Sequence, residues 1–90
     1  MKILIVEDET AAYENLADMI LSLDSSIEIM GNTESVRQTV RWQQANPKPD
    51  LLFMDIHLSD GSAFAIFDLI EVETPIIFTT AYDQYAIDAF

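Results

Sequence analysis

Leu51-Leu-Phe-Met-Asp55-Ile-His-Leu-Ser-Asp-Gly61 decides how this chain is read. Four apolar residues run straight into a carboxylate, and an Asp-Gly turn signal follows closely. A short unbroken apolar run, preceded by Pro47 and Pro49, predicts a strand buried on both faces. Its end then lies at a carboxyl edge of the sheet, where open α/β sheets place their ligand crevice. A carboxylate is costly to desolvate in such a place, so Asp55 needs a positive partner or a chemical role.

Toward the amino terminus, Ile3-Leu-Ile-Val6 repeats the buried-strand pattern and ends on Glu7-Asp8. A helix opens near Thr10, with Ala12, Leu16, Ile20 and Leu23 at the spacing of one face, and Asp24-Ser-Ser26 ends it. Ile27-Glu-Ile29-Met30 alternates as a short, half-covered strand closed by Gly31-Asn32. Ser35-Val-Arg-Gln38 is a capping-box pattern that opens a second helix, with Val36 and Val40 inward and Trp42 off that face. Beyond Gly61 a third helix carries Phe64, Phe67 and Ile70, with Ala63 and Ile66 beside them. Thr74-Pro75 interrupts it, and Ile76-Ile-Phe78-Thr-Thr80 predicts a fourth strand. A fourth helix starts near Asp83, with Tyr82, Tyr85, Ala86 and Ala89 sharing one side. Four βα alternations imply a parallel sheet with right-handed crossovers and helices on both faces.

Parallel strands point their carboxyl ends to one edge. If the first and third strands are neighbours, Glu7, Asp8 and Asp55 meet there. Carboxylates a few ångströms apart repel by about 4 kcal/mol per pair at an intermediate dielectric. Either a proton is retained with a raised pKa or a cation is bound. Carboxylates with waters and a backbone carbonyl suit Mg²⁺, which favours phosphate as a further ligand. An aspartate beside Mg²⁺ can act as a nucleophile toward phosphorus and form an acyl phosphate. Thr79 and Thr80 end the fourth strand at the same edge, where a hydroxyl can donate to a phosphoryl oxygen.

The composition narrows the alternatives. Sixteen acids oppose four bases, a formal charge of −12 that repels nucleic-acid phosphates, so no direct nucleic-acid contact is expected. No stretch approaches the ~20 continuous apolar residues of a membrane span, and the start has no secretory pattern, so a cytoplasmic protein without a membrane partner is expected. Ninety residues make one domain. His57, the lone histidine in a chain without cysteine, makes a poor transition-metal site. Asp60 reads as a cap or a solvated turn residue, and Thr79 as packing.

Ile3-Leu-Ile-Val-Glu-Asp8, Phe53-Met-Asp55-Ile-His-Leu-Ser-Asp-Gly61 and Pro75-Ile-Ile-Phe-Thr-Thr-Ala81 together resemble the receiver domain of bacterial two-component response regulators. The resemblance implies a flavodoxin-like, doubly wound parallel sheet in strand order 2-1-3-4. It implies Asp55 as phosphoacceptor, Asp8 as direct Mg²⁺ ligand, Glu7 as a ligand largely through water, and the His57 backbone carbonyl as a further ligand. Thr80 matches the hydroxyl residue that moves toward the phosphoryl group. The stretch Thr79 to Phe90 looks like the LytTR-type subfamily, whose members usually continue into a DNA-binding domain. A histidine kinase is then the implied phosphodonor, and control of transcription the implied output.

The family pattern continues into a fifth strand, carrying a lysine that pairs with the phosphoryl group, and a fifth helix. Lys2 and Lys48 do not match that lysine. We therefore read residues 1–90 as a single receiver domain cut before the fifth strand, with no DNA-binding domain in it. Ile76-Ile-Phe78 would become an apolar edge, so self-association through the fourth strand or fourth helix is expected. Two other functions compete. A Mg²⁺-dependent phosphatase with an aspartyl-phosphate intermediate would want an acid where His57 stands. A phosphorylation-independent interaction module would not need the retained acids and Thr80.

Overall fold

The computed structural model describes residues 1–79. The fourth helix expected near Asp83, and Thr80 with it, lie outside the described residues. The elements run β1 (Lys2–Val6), α1 (Thr10–Leu23), β2 (Glu28–Thr33), α2 (Val36–Ala45), β3 (Leu51–Met54), β4 (His57–Leu58), β5 (Gly61–Ser62), α3 (Ala65–Leu69) and β6 (Ile76–Phe78). Four strands form one parallel sheet in the order β2-β1-β3-β6, which is the doubly wound order that the resemblance implied.

The central strands are buried on both faces, as their unbroken apolar runs require. Leu4, Val6, Leu52 and Met54 point to one side, where Val36, Leu58, Ala63 and Ile66 complete a core under α2 and α3. Ile3 and Ile5 point to the other side and pack with Ala17 and Ile20 of α1, with Tyr13, Leu16, Leu51 and Phe53 around them.

Several local expectations are corrected by this packing. The inward face of α1 is Tyr13, Leu16, Ala17 and Ile20, and Leu23 is 87% exposed. Fourteen residues of helix are about 21 Å long, whereas a five-residue strand spans about 17 Å, so the last turn overhangs the sheet. β2 does not close at Gly31-Asn32 but continues through them to Thr33. The pairing slips between Ile3 and Leu4, where Met30 is the extra residue, and resumes with Leu4 opposite Gly31 and Ile5 opposite Asn32. Trp42, expected off the inner face of α2, is half-buried against the α2–α3 core. Its Nε1 would lie 3.4 Å from a Cβ added at Gly31, close to ordinary contact distance.

The third helix is shorter and turned differently from the expected one. Ala63 and Ile66 are buried, Phe67 is 38% exposed, and the helix gives way to extended chain at Ile70. Ile70 and Val72, both β-branched, pack on the same core from that extended chain. Before α3 the chain forms a small antiparallel hairpin, β4 with β5, that the sequence reading did not anticipate. Gly61 in its turn has φ +141°, a conformation that L side chains rarely adopt.

Candidate metal and phosphoacceptor site

β1 and β3 are adjacent and in register from Ile3 opposite Leu51 to Val6 opposite Met54. The residues that follow them, Glu7-Asp8 and Asp55, therefore emerge side by side. The Asp55 amide donates to the Val6 carbonyl at 2.9 Å, which carries the ladder one residue beyond the strand and fixes the backbone of Asp55. One ligand atom from each of Glu7, Asp8 and Asp55 lies within 4.8 Å of the others. The three carboxylates that the strand pattern assigned to one edge are in fact together.

Glu7 is 8% exposed, whereas Asp8 and Asp55 are half-buried. Burial is the largest influence on the Glu7 carboxyl and raises its pKa from the usual 4.5 to about 7. The Glu9 amide, which donates to Glu7 Oε2 at 3.2 Å, opposes that rise. The neighbouring Asp55 charge, and hydrogen bonds shared with Asp8 and Asp55, push it up further. Around neutral pH a proton is thus shared within the cluster, one of the two outcomes that crowded carboxylates allow.

Asn32 is a site-building residue that local sequence reading missed, because Gly-Asn looked like the end of a strand. Its side-chain amide lies 3.1 Å from the carbonyls of Ile5 and Glu7 and 3.2 Å from that of Thr33. The Glu7 amide donates to the Thr33 carbonyl at 2.9 Å. The ends of β1 and β2 are so tied together beneath the acids. The backbone amide of His57 faces Asp55 Oδ1 at 3.3 Å, and the His57 side chain is exposed.

At the fourth strand, the Thr79 amide donates to the Met54 carbonyl at 3.0 Å. Thr79 borders a depression of about 240 Å³ with Glu7, Ala12, Asn15, Leu16 and Met19. Thr80, the other hydroxyl expected at this edge, falls outside the described residues.

The donor set is three carboxylates, hard oxygen ligands gathered closely enough to share one ion. Burial first and the neighbouring Asp55 charge after it make the carboxylate form of Glu7 costly, and a small divalent cation would relieve both. The residues present therefore fit Mg²⁺.

Comparison with known proteins agrees with this geometry. The sequence model of the response regulator receiver domain matches residues 3–90. Two proteins named sensory transduction protein LytT match across the whole chain. The one from Bacillus anthracis is 39% identical over 93 residues, and the one from Enterococcus faecalis is 41% identical over 96. The chain spans only 37% and 38% of the length of these relatives. Among solved structures, the response regulatory domain of protein mrkE from Klebsiella pneumoniae superposes with a TM-score of 0.79 at 31% identity, covering 100% of this chain and 75% of that one. The receiver domain of PhyR from Erythrobacter litoralis superposes with a TM-score of 0.76 at 30% identity, covering 96% and 67%.

Proposed function

This chain belongs to the response regulator receiver domain family, and from that premise we propose that Asp55 accepts a phosphoryl group with Mg²⁺ held by its acidic neighbours. The observation that carries the reading is the convergence of Glu7, Asp8 and Asp55 within 4.8 Å at the carboxyl edge of β1 and β3. Asp8 and Asp55 would hold the ion directly, Glu7 through water, and the His57 carbonyl would complete the protein's share. When bound, Mg²⁺ supplies positive charge that lets an anionic carboxylate and an anionic phosphoryl donor approach each other.

The protein's own residues have distinct tasks. Asp55 is held by its amide on Val6 and by the His57 amide near Oδ1, which orients its carboxylate at the edge where a carboxylate oxygen would attack phosphorus. That oxygen forms the new P–O bond as the bond from phosphorus to the donor breaks, and the electron pair leaves with the donor. With a histidine kinase as donor, the broken bond is P–N and the leaving group is imidazole. With a cation in the cluster, Glu7 would hold it in its carboxylate form, because a proton and a cation compete for the same oxygens. Thr80, which lies outside the described residues, is assigned the switch hydroxyl by its match to the family pattern before Ala81. The relatives' name gives the setting, sensory transduction, and the family resemblance gives the proposed output, control of transcription through a domain outside residues 1–90.

The test is the intact mass of the chain after incubation with Mg²⁺ and phosphoramidate, beside an Asp55→Asn control. A hydroxylamine-labile gain of one phosphoryl group, absent from the control, is expected. A gain that survives in Asp55→Asn would remove Asp55 from the role.

A further inference from the structure

A groove of about 410 Å³ runs between α2 and α3, on the far side of the core from α1. Val36 and Val40 form one wall, Ala65 and Leu69 the other, and Asp60 stands at the end where α2 begins. Leu69 is 63% exposed, a large apolar side chain left at the rim. The lining of this groove does not include Glu7, Asp8 or Asp55.

The charges around the groove are unevenly placed. Arg37 and Arg41 stand one helical turn apart on the α2 wall. They are half of the chain's four basic residues, set among sixteen acids. Yet neither forms a salt bridge among the described residues, where the ion pair is Lys48 with Glu73. On α3, Asp68 is exposed, one turn from Ala65 and next to Leu69. The groove is therefore apolar along its floor, with Arg37 and Arg41 on the α2 side, Asp60 at its end near Arg37, and Asp68 exposed on α3 beside Leu69.

Such a face is complementary to itself. A second copy turned about a twofold axis sets its α3 against α2 of the first. Arg37 and Arg41 then meet Asp68, and Leu69 enters the opposite groove, twice over by symmetry. A partner of one sign would satisfy one rim and oppose the other. We propose that the α2–α3 groove is a self-association surface, on which two copies of this chain dock isologously.

The test is sedimentation of the 90-residue chain up to about millimolar concentration, at roughly 0.15 M salt, where the Debye length of about 8 Å screens the repulsion of two acidic molecules. Two variants accompany it, Arg37→Glu with Arg41→Glu, and Asp68→Arg, each checked by circular dichroism for an unchanged fold. All three positions are exposed, so the fold should hold. The wild type is expected to dimerise, and each variant to lose about tenfold or more in association. An equimolar mixture of the two variants is expected to recover it, because every acidic rim then faces a basic one. Both variants remain strongly acidic overall, so recovery cannot come from attraction of opposite net charges. A wild type that stays monomeric throughout, variants that associate as the wild type does, or a mixture that fails to recover would each overturn the proposal.

Discussion

Asp60 Oδ1 accepts a hydrogen bond from the Val36 amide at 2.6 Å, while Oδ2 accepts from the Arg37 amide at 3.1 Å. The tip of the hairpin that follows Asp55 thus caps a helix that begins 24 residues earlier in the chain. Ser59 adds to the clasp by donating from Oγ to the Glu34 carbonyl at 3.1 Å. Ser35 Oγ accepts from the Gln38 amide at 3.0 Å, so the start of α2 has one cap of its own and one from the hairpin.

Removing that second cap should loosen the start of α2. Asp60→Ala is expected to lower the melting temperature and to speed amide exchange at Val36 and Arg37, with little change at Gln38. The two amides hold the Asp60 carboxyl below its usual range. A depressed carboxyl pKa stabilises the fold above the unfolded-state pKa, and the benefit is lost as pH falls through the folded one. The difference between wild type and Asp60→Ala should therefore shrink in acid, which thermal melts below and above about pH 4 would show.

Glu7 predicts the opposite trend. Its pKa is about 7 in the folded chain against an ordinary 4.5, so the folded state binds the extra proton between those values. Without a divalent cation, stability should decline as pH rises from 4.5 to 7 and level off above. Glu7→Gln should flatten that slope. The stabilisation conferred by Mg²⁺ should be larger at pH 8 than at pH 5.5, because the proton no longer competes. Melting curves across pH, with Mg²⁺ and with a chelator, read all three effects.

Gly61 should not tolerate a side chain. At φ +141° an alanine is strained even though its Cβ would meet nothing within 4 Å. Gly61→Ala is expected to cost about 1–3 kcal/mol, measurable by urea unfolding. The same substitution at Gly31 has no positive φ to contend with and should cost less.

A buried hydroxyl pair underlies the junction of β2 and α2. Thr33 and Thr39 are both buried, with their Oγ1 atoms 2.8 Å apart, and Thr39 also donates to the Ser35 carbonyl. Thr39→Val keeps the shape but strands the Thr33 hydroxyl. A loss of about 1–3 kcal/mol in unfolding free energy is expected, and Thr33→Val combined with Thr39→Val should recover part of it.

The sequence by itself determined the two central strands of the parallel sheet, the edge they share and the acids on it. Ile3–Val6 and Leu51–Met54 are continuous apolar runs, which only a strand covered on both faces makes sense of. A residue just past each run then falls at the carboxyl edge by chain direction alone, which is why Glu7, Asp8 and Asp55 were legible without coordinates. The strand order came from the resemblance rather than from the spacing, since periodicity does not say which strands are neighbours.

Tertiary structure alone decided the rest. Helical spacing left the rotation of α1 open, and the sheet chose Tyr13 and Ala17 over Leu23 because the last turn has nothing beneath it. Gly31-Asn32 has the local chemistry of a turn, but pairing with Leu4 and Ile5 and three carbonyls for the Asn32 amide outweighed that preference. Asp60 could have capped or faced water, and the choice depended on amides brought near only by the fold. Local pattern encodes period and chain breaks. A hydrogen bond across 24 residues, or a groove between two helices, exists only once the sheet has brought the segments together.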